Sequence, residues 1–164
     1  MGFNMSALDK ILIIEILDQA AALETIMADM YTLFEKSFAD DSDFWKQLAY
    51  EELNHAALIK SVSSNPAMSE QFIHDAPNDL FQEVVKAKEW ATSLFIKFSE
   101  VKPDRTTAFN TAIEAEKTAG ELHFQSIMTK ESDSWLIKVL QELNEYDRDH
   151  LKRIEEYVKE KNII

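Results

Sequence analysis

The stretch EELNHA, residues 51–56, sets a problem for any helical reading of this chain. It lies inside a pattern of core-type positions spaced three and four apart, Trp45, Leu48, Glu52, His55, Ile59 and Val62. That spacing belongs to one face of a helix turned toward a core. The stripe is apolar at both ends, yet an acid and a histidine occupy its middle.

Working outward, the same interruption recurs. An earlier stripe runs Ile13, Leu17, Ala20, Glu24, Met27, Tyr31, Phe34 and Phe38. Two later ones run Phe109, Ala112, Glu116, Ala119, His123 and Ile127, and Leu136, Leu140, Leu143, Asp147, His150, Ile154 and Tyr157. A fifth stripe, Leu80, Val84, Ala87, Ala91, Leu94 and Phe98, carries no polar residue. The interruptions also form a weak internal repeat. Glu24 and Tyr31 precede Glu52-x-x-His55, and Glu116 and His123, at the same separation, precede Asp147-x-x-His150. Two related helix pairs facing each other would produce that order.

The remaining sequence agrees with an all-α domain. Only 2 glycines and 3 prolines interrupt the 164 residues, which are rich in strong helix formers. The length suits one domain, 1–164. Reading from breaker to breaker predicts helices near 6–38, 42–64, 79–100, 105–129 and 133–160, with Ser6 and Ser42 as N-caps. The segment 65–79, which holds Pro66 and Pro77, is the expected crossover connection.

The absence of cysteine excludes disulfides, thiolate metal sites and cysteine nucleophiles within these residues. The longest apolar run, ILIIEIL at 11–17, contains Glu15 and is too short for a bilayer, so no membrane association and a cytoplasmic location are expected. A formal charge of −13 argues against nucleic acid and suits metal cations or a basic partner.

Residues three apart on a helix share a face, so each acid-x-x-histidine pair can point at one metal ion. Glu24, Glu52, His55, Glu116, Asp147 and His150 together supply four carboxylates and two imidazoles, the ligand complement of a dinuclear site between four helices. Hard oxygen donors with imidazole and no thiolate suit two iron ions, with manganese or a mixed pair as alternatives. No lysine or arginine lies on these stripes beside the acids, and an unpaired buried carboxylate costs several kcal/mol. A cation from outside is the expected remedy. Tyr31 and His123 are candidates for a supporting catalytic role, or for packing alone. Glu51, Glu114 and Glu121 flank the stripes and read as solvated, while Glu142 and Glu145 are fallbacks should Asp147 not bind.

These residues, in this order, resemble the rubrerythrin group of the ferritin-like superfamily: Glu24 with Tyr31, EELNHA with Glu52 and His55, Glu116, and DRDH with Asp147 and His150. The resemblance implies a ferritin-like four-helix bundle, with the 79–100 helix as an extra helix in the long crossover connection. It also implies a di-iron protein that reduces hydrogen peroxide or oxidises Fe(II) with oxygen or peroxide, commonly as a homodimer. Two departures stand out. No cysteine is present to build a rubredoxin iron site, so an external electron-donor protein is expected. Asp147 also stands where the family pattern has glutamate, one methylene longer. The other readings are a non-catalytic iron-binding or metal-handling protein and a metal-free structural bundle.

Overall fold

Long runs of helix-forming residues between few breakers give five helices in the computed structural model, which describes residues 7–64, 80–122 and 135–164. They are α1 (Ala7–Ser37), α2 (Ser42–Ser63), α3 (Leu80–Glu100), α4 (Arg105–Leu122) and α5 (Trp135–Glu160), with a 3-10 turn, Ala39–Asp41, between the first two. There is no strand among the described residues, and the class is all-α. The expected bounds at 38, 42, 64, 100, 105 and 160 agree within one residue, and the expected starts at 6, 79 and 133 and the expected end at 129 lie outside the described residues.

One expected cap is corrected. Ser42 is the first helical residue of α2, and Asp41 takes the cap position without capping the helix through its side chain. Its carboxylate instead receives Arg105 through Nε at 2.7 Å and Nη2 at 2.6 Å, and the Tyr157 hydroxyl at 2.9 Å. A two-pronged charged bond outweighs a neutral serine cap. This clamp joins the α1–α2 corner to the start of α4 and the end of α5. Burial alone would raise the Asp41 pKa, but the Arg105 and Tyr157 hydrogen bonds hold it below the usual carboxylate range. Ser6 lies outside the described residues.

Other ends follow local rules. Asp104 accepts the backbone N–H and the hydroxyl of Thr107, both at 2.8 Å, and so caps α4. Past α5, Asn162 takes a left-handed φ of 51°. Ile163 N–H reaches Val158 O at 3.0 Å and Asn162 N–H reaches Lys159 O at 3.3 Å, a Schellman ending that turns Ile163 back onto the core.

Contacts between named residues fix the helix directions. Ser63 bonds to Asp18 while Trp45 stacks on Tyr31, so α1 and α2 are antiparallel. Phe109 lies against Tyr157 and Glu116 near His150, so α4 and α5 are antiparallel as well. Gln19 meets Lys88 and Phe34 meets Phe98, so α3 runs parallel to α1. Taking α1 as up, α2 and α4 run down and α5 runs up. Helix α3 carries the chain back across the length of the molecule between the two downward helices.

Helix α1 is buried on more than one side. Leu17, Ala20, Met27, Tyr31 and Phe34 are core residues on the stripe that carries Glu24, and Ile16, Leu23 and Met30 form a second buried row. Val84, Ala87, Ala91 and Phe98 of α3 are buried too, which explains why its stripe needs no polar residue. Trp45 centres an aromatic layer with Tyr31, Phe34, Phe44 and Phe109, whose ring centroids lie 4.4–5.7 Å from its own. Ile11, Leu12 and Ile14 stay exposed near the start of α1. Among the described residues, no helix is long and apolar enough to cross a membrane.

Candidate metal centre

Directly beside the aromatic layer, four helices each turn a polar side chain inward. Glu24 comes from α1, Glu52 and His55 from α2, Glu116 from α4 and His150 from α5; each is at most 6% exposed. The i, i+3 spacing of Glu52 and His55 places both on the buried face of α2, as the pattern around EELNHA requires.

Glu52 is the hub. Its Oε1 lies 3.1 Å from His150 Nδ1 and its Oε2 lies 3.1 Å from His55 Nδ1. Glu116 Oε1 is 3.7 Å from His150 Nδ1, and Glu24 Oε2 is 3.9 Å from His55 Nδ1. The two imidazole rings face each other with centroids 5.2 Å apart at 20°. Glu52, His55 and His150 each offer a ligand atom, all within 4.8 Å of one another, so this buried group could hold a metal ion. The Tyr31 hydroxyl donates to Glu116 Oε1 at 2.5 Å.

The electrostatics show how the centre balances charge by itself. Burial, reinforced by neighbouring acids, pushes Glu24 well above the usual carboxylate range. Burial and the Glu116 charge raise Glu52 to about 7. Burial works against charge on His150, but its bonds to Glu116, Glu51 and Glu52 outweigh that and keep it an imidazolium. Burial and the charge on His150 hold His55 below its usual range, although Glu24 pulls the other way. Tyr31 is raised well above its ordinary value by burial and by Glu116. Without a cation from outside, these acids are offset by His150 and by the protons that Glu24 and Glu52 hold above the usual range.

Five of the six expected ligands thus meet in one place. The side chains of Glu121, Glu142 and Asp147 and all of His123 lie outside the described residues. Glu114 and Glu145 are exposed, as expected for the first; the second is no fallback ligand.

Glu51 is the main correction at the site. It is not simply solvated: its Oε2 lies 3.0 Å from His150 Nε2, and it accepts hydrogen bonds from Arg153 and, at 2.7 Å, from Gln47. Burial would raise its pKa, but His150, Arg153 and Gln47 bring it down to about 2. The sequence did contain a signal: Arg153 stands three residues after His150 on α5, one turn along the same face. Its partner on α2 could not be read from spacing alone.

A cavity of about 400 Å³, lined by Glu51, Asn54, His55, Leu58, Asp149, His150 and Arg153, lies against both histidines of the centre. Comparisons of the chain with known protein families, with curated proteins and with solved structures find no match in any of the three.

Proposed function

We propose that this chain is a ferritin-like di-iron carboxylate protein of the rubrerythrin kind, an oxidoreductase that reduces hydrogen peroxide or oxidises Fe(II) with oxygen or peroxide. The observation that carries the reading is the buried group of Glu52, His55 and His150, whose ligand atoms lie within 4.8 Å of one another, with Glu24 3.9 Å from His55 and Glu116 3.7 Å from His150. The up, down, down, up order with a long helical return supports a ferritin-like four-helix bundle with an extra helix in the crossover.

The donor set fits the cofactor. Glu24 and Glu52, which hold protons above the usual carboxylate range beside His150, are groups a divalent cation would displace protons from, and oxygen donors with imidazole suit iron or manganese. Glu24, Glu52, His55, Glu116 and His150 would hold the metal, with Asp147 proposed as the sixth ligand. A pair of bound iron ions would supply the two electrons that cleave an O–O bond.

The chain's own residues supply the rest. His55 is neutral near pH 7, so its lone pair is available without loss of a proton. Tyr31 keeps its hydroxyl proton and holds it at Glu116 Oε1, within the centre, where it can serve a leaving oxygen. His123 is proposed for the same task. The cavity beside His55 and His150 has room for a molecule the size of peroxide. Electrons would come from an external electron-donor protein, and the proposed assembly is a homodimer in the cytoplasm.

The test is turnover. Iron-loaded protein given peroxide and a small reductant should consume both over many cycles, and the chelator-treated protein should not. Oxidation of bound iron without sustained turnover would favour a metal-handling role. The self-balancing charge of the centre favours a metal-free structural bundle as the second reading, and failure to bind any metal would support it.

A further inference from the structure

We infer that a second cavity, between the later halves of α1 and α3, binds a short extended peptide with free ends, its ammonium toward Asp29 and its carboxylate toward Lys36 and Lys102. The inference is independent of the metal reading. The cavity measures about 490 Å³, within the range of small-molecule sites and larger than the one beside the histidines. Its two helical walls run parallel. Gln19 meets Lys88 and Phe34 meets Phe98, so Asp29 lies near the level of Phe95. Lys36 lies near the level of Glu100 and Lys102, where Lys102 Nζ donates to Ser37 O.

The lining separates charge along that length. Asp29 is the acid at one end, and at the other stand Lys36 and Lys102 with Glu100, which leave a net positive charge. Leu33, Phe95 and Phe98 form the apolar wall between the two ends. Asp29 and Lys36 stand two turns apart on one face of α1, roughly 10 Å along the axis, too far to neutralise each other. A simple anion would meet Asp29 and a simple cation would meet Lys36. A molecule with opposite charges at its two ends satisfies both. A free amino acid carries those charges too close together, whereas an extended chain gains at most about 3.3–3.6 Å per residue, so about three residues cover the distance. The apolar wall then faces the middle side chain and favours a hydrophobic one.

The test titrates the 15N-labelled full chain with the peptide Gly-Leu-Gly up to about 10 mM and follows the backbone amide shifts. Saturable shifts within residues 29–37 and 95–102 are the expected result. Acetylating the peptide's amine or amidating its carboxylate should each weaken binding severalfold, and glycine in place of the central leucine should do the same. Variants then fix the direction. In Asp29→Asn the acetylated and free-amine peptides should bind alike, while amidation keeps its penalty. In Lys36→Met the penalty for amidation should shrink, while acetylation keeps its own. Both positions are exposed, so neither change removes core packing. No saturable shift in the two segments overturns the inference, as does a doubly capped peptide that binds as well as the free one. A penalty for acetylation that survives unchanged in Asp29→Asn overturns it too.

Discussion

The Tyr31 hydroxyl donates to Glu116 Oε1 at 2.5 Å, linking α1 to α4 across 85 residues of sequence. It supplies a donor to a buried carboxylate and keeps a proton inside the centre. Tyr31→Phe removes both while preserving the ring that stacks on Trp45. The expected result is a loss of about 1–3 kcal/mol in the metal-free protein, measured by denaturant unfolding. Metal content should be unchanged, and peroxide turnover should fall at least about tenfold. Undiminished turnover would remove Tyr31 from the chemistry.

Substitution at the hub separates ligands from bystanders. Glu52→Ala removes the carboxylate that touches both histidines, and His55→Ala removes one of the two imidazoles. Each should lose tight binding of at least one metal ion. The metal-free Glu52→Ala protein should nonetheless fold, because one raised carboxyl has gone, although His150 loses a partner. Metal analysis beside circular dichroism checks both points.

The metal-free protein should show an unusual dependence on pH. Glu24 and Glu52 hold protons more tightly folded than unfolded, as does His150. Such groups stabilise the fold below their unfolded pKa values, and that contribution is lost as pH rises, for Glu52 between 4.5 and about 7. Glu51, at about 2 when folded, acts in the opposite sense and loses its contribution as pH falls below 4.5. His55 also favours the high-pH side, its contribution fading as pH falls below 6.5. The melting temperature of chelator-treated protein should therefore peak near about pH 4.5–5 and decline toward pH 8. A divalent metal should reverse the decline, because its binding releases those protons. A melting temperature that rises steadily to pH 8 without metal would contradict the account.

The Asp41 clamp should matter to stability and not to the centre. Asp41 is buried, while Arg105 is partly exposed, and one turn or more of α2 separates the clamp from each ligand; Glu52 stands roughly 16 Å along the helix axis. Asp41→Ala should cost about 2–4 kcal/mol, read by denaturant unfolding, with metal uptake unchanged. Loss of metal binding in a folded Asp41→Ala protein would show that the clamp positions the ligands.

Periodicity carried the helices because each stripe is long and apolar outside its polar interruption, and Pro66, Pro77 and Pro103 mark the gaps between them. The residues of the buried centre were legible for the same reason: Glu24, Glu52, Glu116 and His150 each break a stripe at a place where an unpaired polar group is costly. Glu51 was not legible, since its stripe neighbours assign it to the flank of α2 and only the approach of α5 gives it His150 and Arg153. The same holds for Asp41, whose sequence neighbours suggest a turn residue beside a serine cap, and whose partners lie 64 and 116 residues away. Contacts between distant segments leave no periodic trace along the chain.

Metal content per folded chain tests the central claim most directly. After anaerobic loading with Fe(II) and removal of loosely bound ions, mass spectrometry should find two irons per chain, held by Glu24, Glu52, His55, Glu116, His150 and the proposed sixth ligand Asp147. A folded chain that retains fewer than two would contradict the di-iron account.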